Sequence, residues 1–170
     1  MLVEKNLFCW WKKMYSNNNE ESARKLHSYE KIPYDLLLLA EETKEAIDKY
    51  IKDSEIFVFE RKNNIIGIYV LKSIDEQNIE IKYIAVDEKF QGQGIGTFLL
   101  NDATIRAREK GLKTIIIGTG DCGIKQLQLY QKVGFEIFDV KKNFFIDNYP
   151  EPIFENGKQC RDMVMLKKQL

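Results

Sequence analysis

Histidine is nearly missing from this chain: His27 is the only one in 170 residues. One histidine cannot build a metal site by itself, and a lone histidine is more often a surface or capping residue than a catalyst. Cysteine is sparse too. Cys9, Cys122 and Cys160 are odd in number and widely spaced, and they offer neither a C-x-x-C zinc pattern nor a disulfide framework. Free thiols in a reducing cytosol are the expectation, and no metal is expected. Neither sign of charge is in excess. Lys+Arg and Asp+Glu both number 26, so nothing in the net charge favours a nucleic acid or another polyanion as partner. No run of eighteen apolar residues is present, so no membrane span is expected. The apolar stretch Leu7 to Trp11 is too short for a signal core, and no small-residue cleavage site follows it. There is no internal repeat and no low-complexity tract. What remains is a cytoplasmic chain whose length suits one domain around a single core.

What the sequence does hold is a glycine-rich stretch, Gln91-Gly92-Gln93-Gly94-Ile95-Gly96. A strand-like run, Ile79 to Val86, precedes it, and a helix-like run, Thr97 to Lys110, comes after. Glycine lets the backbone N–H groups approach an anion closely, and the start of a helix adds its positive dipole end. Such a turn holds a pyrophosphate, although it also serves as a mere connection. Two common phosphate loops fail on spacing. A Walker loop ends in Gly-Lys-Ser/Thr, which does not follow Gly96. A Rossmann fingerprint counted from Gly92 and Gly94 needs glycine where Thr97 stands, and the following strand, Lys113 to Gly118, lacks the acidic residue.

The pattern that survives is strand, Q-x-x-G-x-G, helix, with Gln91, Gly94 and Gly96 at its defined positions. It resembles the coenzyme A loop of the GCN5-related N-acetyltransferases. A second segment of that family's type stands about thirty-five residues later, Leu129-Tyr130-Gln131-Lys132-Val133-Gly134-Phe135. The resemblance covers roughly residues 22 to 170, and residues 144 to 165 resemble a little-characterised bacterial subgroup.

The order of elements read from the residues agrees with that resemblance. Residues 1 to 20 form an extension closed by the polar break Asn17 to Glu20, and a domain spans 21 to 170. In the extension, Phe8, Trp10 and Trp11 leave three roles open: packing on the domain, contact with a partner chain as in a homodimer, or none. Ser22 to Leu26 is a first strand, and Tyr34 to Ala40 reads as a buried helix after Pro33. Thr43 caps a helix from Lys44 to Ile51 with Ala46, Ile47, Tyr50 and Ile51 on its apolar face. Ile56 to Glu60 and Ile65 to Leu71 form a hairpin through Arg61-Lys62-Asn63-Asn64, with Gly67 marking a bulge or close packing. Ile95, Leu99, Ala103 and Ala107 give the glycine-loop helix a core stripe, ended by Gly111. A strand at Thr114 to Gly118, a helix at Ile124 to Lys132, and strands at Phe135 to Val140 and Asp162 to Leu166 close the domain. A long aromatic-rich loop, Asn143 to Gln159, joins the last two strands. This is an α/β domain with a mixed, mostly antiparallel sheet flanked by helices. The resemblance implies that the fourth and fifth strands are parallel and splayed, and that acyl-coenzyme A lies in the gap.

The resemblance also implies roles. Gln91, Gly92, Gln93, Gly94, Ile95, Gly96 and Thr97 would hold the pyrophosphate of acetyl-coenzyme A. Ile84, Ala85 and Val86 would run beside the pantetheine arm, with the N–H of Ile84 facing the acetyl oxygen. Tyr130 is the candidate general acid toward the leaving thiolate, against the plainer reading of a core tyrosine. Glu80, four residues before Ile84, is the candidate base; alternation puts Glu80, Lys82, Ile84 and Val86 on one face. Its plainer reading is a strand carboxylate paired with Lys82. One departure stands out: where many members carry Asn seven residues before the tyrosine, this chain has Gly123, with Asp121 near enough to substitute. Lys89 and Lys132 are candidates for the coenzyme A phosphates or for plain surface. Glu41, Glu42 and the aromatics of the 143–159 loop would shape an acceptor site for a small cationic amine or a protein amine. The function so implied is transfer of an acetyl group from acetyl-coenzyme A to a primary amine by direct attack in a ternary complex. The rivals are a non-catalytic acyl-coenzyme A sensor and a scaffold in which the glycine loop is only a turn.

Overall fold

The computed structural model describes residues 21–155 and 157–170; the predicted extension of residues 1–20 lies outside them. Seven strands form one sheet: β1 (Glu21–Lys25), β2 (Glu55–Arg61), β3 (Asn64–Ser73), β4 (Asn78–Val86), β5 (Thr114–Gly120), β9 (Met163–Gln169) and β6 (Glu136–Lys141), in that spatial order. Neighbours are antiparallel except β4 and β5, which are parallel. The strands β7 (Phe154–Glu155) and β8 (Lys158–Gln159) make a small separate hairpin.

Helices cover both faces. On one, α1 (Tyr34–Leu37) and α2 (Lys44–Ile51) bury Leu36, Leu37, Ile47 and Ile51 against Val58, Ile68 and Val70. Thr43 caps α2 as predicted, its hydroxyl accepting from Ala46 N at 3.2 Å. On the other, α3 (Ile95–Glu109) lays Ile95, Leu99, Ala103 and Ala107 on the sheet, and α4 (Ile124–Lys132) adds Tyr130. Helix α3 ends as the sequence requires. Gly111 takes φ 75°, its N–H donates to Arg108 O at 2.9 Å, and Leu112 N donates to Ala107 O at 3.2 Å. Gly67 serves close packing beside a bulge: a Cβ there would lie 3.2 Å from Leu99 Cδ1, and the β2–β3 register slips after Phe59.

Four expectations need correction. The run Tyr34 to Ala40 is helical for one turn only, and Leu38 and Leu39 are exposed beyond it. The 143–159 segment is not a plain loop; it carries α5 (Phe144–Asn148) and the β7–β8 hairpin. Cys122 and Cys160 are not free thiols. They form a disulfide across 38 residues, with Cα atoms 5.1 Å apart. Cys9 lies outside the described residues. Last, β4 does not alternate throughout. Val70 pairs with Tyr83 and Leu71 with Ile81, so Lys82 is the extra residue of a β-bulge. The bulge reverses the faces: Ile79 and Ile81 join the α3 side, but after Lys82 it is Ile84 and Val86 that pack there, while Tyr83 and Ala85 face α2. Glu80 and Ile84 therefore lie on opposite faces of the sheet.

Candidate active site

Just beyond the bulge, β4 parts from β5. Their parallel pairing runs from Asn78↔Thr114 to Ile81↔Ile117 and stops. Past that point β4 keeps its hydrogen-bonded neighbour β3 on one edge only, as far as Val86. The other edge borders a cleft of about 610 Å³. Ile84, Ala85 and Val86 form one wall, the glycine turn closes one end, and α4 with Glu155 forms the opposite wall. Half of the backbone polar groups on that β4 edge are left for a ligand, as at any open strand edge.

The glycine turn is a built cradle. Gly92 and Gly94 have φ 73° and 84°, a region that side chains disfavour, and a Cβ at either would meet no atom within 4 Å. The space above them is open for a ligand. The first bond inside α3 runs from Phe98 N to Gly94 O at 3.0 Å, so the N–H groups of Ile95, Gly96 and Thr97 have no partner within the helix. Gly96 acts through its size instead: a Cβ there would lie 3.3 Å from Leu129 Cδ2, so its smallness lets α3 and α4 approach. Gln91 holds the turn to the strand, its Nε2 donating to Val86 O at 3.0 Å. Gln93 does not line the cleft; its Oε1 accepts from Arg61 at 2.7 Å. An anion with the reach of a pyrophosphate fits these open N–H groups.

Tyr130 stands across the cleft, 5 % exposed, with its ring 6.4 Å from that of Phe135. Burial first, and then the nearby Glu155 carboxylate, push its phenol well above the usual phenol range. It is a protonated donor at any neutral pH. Glu80 does not line the cleft. It sits on the other face of the sheet, 3.5 Å from Lys82 Nζ, and that ammonium lies 4.3 Å from the ring of Tyr50. The ion pair agrees with the plainer reading given to this residue. Lys132 lines the cleft, whereas Lys89 does not.

The departure at Gly123 has a steric cause. A Cβ there would lie 2.8 Å from Thr119 Oγ1 and 3.2 Å from Gly120 O, so a larger residue would need Thr119 and the turn to give way. Asp121 does not replace it. Its carboxylate accepts from Arg161 N at 2.9 Å and Asp162 N at 3.3 Å and neighbours Lys158 at 3.6 Å. The side-chain amide that does reach the cleft belongs to Gln126, one turn on.

Two acidic residues border the gap in ways the motifs do not signal. Glu155 lines the cleft itself, its Oε1 accepting from Gln126 Nε2 at 2.9 Å. Glu41, in the segment after α1, accepts from the Tyr149 hydroxyl at 3.0 and 3.3 Å. Burial and that carboxylate push the Tyr149 phenol up, and burial with Glu41, then Tyr50, Tyr149 and Glu80, does the same to Tyr83, so Glu80 shares the α2 face with this pair. The sequence points to Glu41 and the aromatic residues after α5 as acceptor-side material, but not to Glu155. The one sequence signal for Glu155 is membership of that same segment.

Comparison with known proteins agrees with this geometry. Residues 10–135 match the Acetyltransferase (GNAT) family. The chain is 47% identical over 133 residues to the uncharacterised N-acetyltransferase YvbK of Bacillus subtilis, covering 78% of this chain and 86% of that one. A GNAT family acetyltransferase from Elizabethkingia anophelis, solved with acetyl-CoA bound, superposes with a TM-score of 0.87 at 50% identity, over 90% of this chain and all of that one. A Bacillus subtilis acetyltransferase in complex with CoA gives 0.83 at 41% identity, over 89% and 99%. With its glycine cradle, its parted β4 and β5 and this match over most of its length, the chain belongs to the acetyltransferase (GNAT) family and is an N-acetyltransferase.

Proposed function

We propose that this protein transfers an acetyl group from acetyl-coenzyme A to a primary amine by direct attack within a ternary complex, in the cytoplasm. The observation that carries the reading is the meeting, in one cleft, of an open strand edge, a helix N-terminus with free N–H groups, and a buried tyrosine.

In this reading the N–H groups of Ile95, Gly96 and Thr97, with the turn Gln91 to Gly94, bind the pyrophosphate. Gln93 serves from behind, through its bond to Arg61. The free edge at Ile84, Ala85 and Val86 binds the pantetheine amides as a neighbouring strand would. Gln126 supplies the side-chain amide contact that Gly123 cannot. The N–H of Ile84 stabilises the negative charge that develops on the thioester oxygen. Tyr130 donates to the departing sulfur; its raised proton affinity keeps the phenol neutral and ready to donate. Glu80 has no part in it, being across the sheet and bound to Lys82.

Calorimetric titration with acetyl-coenzyme A and coenzyme A, followed by thiol release against an amine panel, tests the reading. Binding with amine-dependent release is expected. Binding without release from any amine replaces it with the non-catalytic sensor, and no binding removes the cradle assignment.

A further inference from the structure

We propose that Glu155 receives the ammonium of the acceptor and takes its proton, so that the acceptor is a primary amine that is cationic at neutral pH. The inference rests on the transferase reading above and adds the missing base and the charge of the substrate.

Among the described residues that line the cleft, Glu155 is the one carboxylate. It is half-buried, no lysine or arginine among the described residues pairs with it, and its Oε2 lies 3.9 Å from Cys122 Sγ. Elsewhere in the fold such carboxylates sit on cations: Glu60 on Arg24 at 2.6 Å, Asp102 on Arg106 at 2.8 Å, Glu80 on Lys82 at 3.5 Å. The cross-strand neighbour of Glu155 is Lys158, but that ammonium is turned to Asp121, 3.2 Å from its carbonyl and 3.6 Å from its carboxylate. A carboxylate taken from water without a counterion is costly, and a cationic ligand offsets the cost.

Gln126 fixes the position of Glu155 from α4. Gln126 Oε1 is buried and has no hydrogen-bond partner. Since Gln126 Nε2 donates to Glu155, the orientation of the amide is set and the oxygen is an acceptor. That oxygen is enclosed, 3.3 Å from where a Cβ on Gly123 would stand, so the acceptor this wall offers to the cleft is Glu155 itself, and an ammonium brings three N–H donors. The Cys122–Cys160 disulfide braces the arrangement. It ties the start of α4 to the exit of the β7–β8 hairpin, and Cys160 N donates to Ile153 O at 2.8 Å, fixing the base of that hairpin. The charged and titratable groups that share the cleft with Glu155 are Tyr130, Lys125 and Lys132, all on α4.

The proton balance closes. Glu155 takes one proton from R–NH3+. The neutral nitrogen attacks the thioester carbon, the C–N bond forms and the C–S bond breaks. The Tyr130 phenol protonates the departing sulfur and regains a proton from the new amide nitrogen. Glu155 then releases its proton to water, giving the amide, coenzyme A thiol and one proton in total.

The test uses the full chain with acetyl-coenzyme A, n-alkylamines and a lysine-bearing peptide as cationic probes, and hydroxylamine as a nucleophile largely neutral at pH 7.5. For Glu155→Gln, kcat/KM toward the cationic probes falls roughly 100-fold and then rises with pH as the free amine loses its own proton, because only the neutral amine can react without the base. The acetyl-coenzyme A Kd and the hydroxylamine rate stay within a few-fold. Glu155→Asp, which keeps the charge, recovers part of the rate. Equal losses with hydroxylamine and alkylamines make Glu155 structural and overturn the proposal. So does an unchanged alkylamine rate, or the same loss appearing in Glu80→Gln instead. If the wild-type protein binds acetyl-coenzyme A but acetylates no probe, the transferase reading itself fails and this proposal fails with it.

Discussion

The two walls of the cleft are made of different material. The wall proposed for the cofactor is backbone: the N–H groups at the start of α3, two glycines in the left-handed region, and the bare edge of β4. The opposite wall is side chain: Tyr130 and Gln126 of α4 and Glu155 of the hairpin, while the Glu41–Tyr149 pair, which links residues 108 positions apart, lies outside that lining. A backbone wall fits one ligand of fixed shape and tolerates changes of side chain around it. A side-chain wall can be retuned to another acceptor without disturbing the cradle. Changes on the first should therefore cost cofactor affinity, and changes on the second should cost turnover or acceptor affinity alone.

The largest break in that division is expected from Gly94→Glu. The residue would be forced to keep φ near 84° and would put a carboxylate into open space beside the free N–H groups. Acetyl-coenzyme A affinity should fall by roughly 100-fold or more, through repulsion of the pyrophosphate. Gly94→Ala, which carries the backbone strain without the charge, should lose much less. Calorimetry on both variants separates the two causes; equal losses would show that strain, not charge, sets the cradle.

On the side-chain wall, Tyr130→Phe should lower kcat by about 100-fold with the acetyl-coenzyme A Kd unchanged. A parallel loss of affinity would move Tyr130 to the cofactor wall. The pH dependence sharpens the point. Burial and Glu155 raise the phenol above its ordinary value, so Tyr130 stays protonated in the folded protein beyond pH 10. Wild-type kcat should show no alkaline fall from this group below about pH 10. By linkage, the stability gained from keeping the phenol protonated is complete below pH 10 and is lost as pH rises toward the folded value. Thermal melts at pH 8 and at about pH 11, compared between wild type and Tyr130→Phe, separate that loss from the losses of the other raised phenols, Tyr69, Tyr83 and Tyr149.

This division also explains what could be read in advance. The cradle was legible because backbone geometry leaves a trace in the chain: glycines at 92 and 94 where φ is positive, and Gly96 where two helices touch. Helix α2 was legible from its Thr43 cap and apolar face, and α3 from its apolar stripe and the glycine that ends it. Three features were not. The bulge at Lys82 adds one residue to an alternating strand, and nothing in Glu-Ile-Lys-Tyr-Ile says which side chain is the extra one. That single residue sends Glu80 and Ile84 to opposite faces and removes Glu80 from the cleft. The run Leu36 to Leu39 looks like core, yet only Leu36 and Leu37 are buried, and Leu39 overhangs the cleft. Glu155 and the Cys122–Cys160 bond arise from pairings across the segment after α5, where no periodic pattern exists to fix a fold.

The disulfide offers an intermediate test. Cys160→Ser, or reduction, should lower thermal stability by about 2 kcal/mol and Tm by roughly 5 °C, since it frees a 38-residue loop. Because it loosens the hairpin that carries Glu155, it should also raise the acceptor KM by several-fold while leaving cofactor affinity alone. Under reducing conditions such a bond opens, and the reduced protein would then be the slower form. Identical kinetics in the oxidised and reduced protein would show that the hairpin is held without it.

The smallest expected effect comes from the Glu41–Tyr149 pair. Tyr149 donates to Glu41, two residues after the cleft-lining Leu39, joining the segment after α1 to the segment after α5. Tyr149→Phe keeps the ring and removes only the hydroxyl. A hydrogen bond to a charged group in a half-buried setting contributes about 1–2 kcal/mol, part of which water returns to the freed carboxylate. The acceptor KM should therefore change by no more than about five-fold, with kcat and the acetyl-coenzyme A Kd unmoved. The direction is informative. A rise means that the pair holds the rim closed over the acceptor. A fall means that Glu41, freed of its tyrosine, binds the incoming ammonium better, which would extend the acceptor's path from Glu155 out to the rim. A change in cofactor affinity would break the division between the walls, because no atom of Tyr149 belongs to the cradle side.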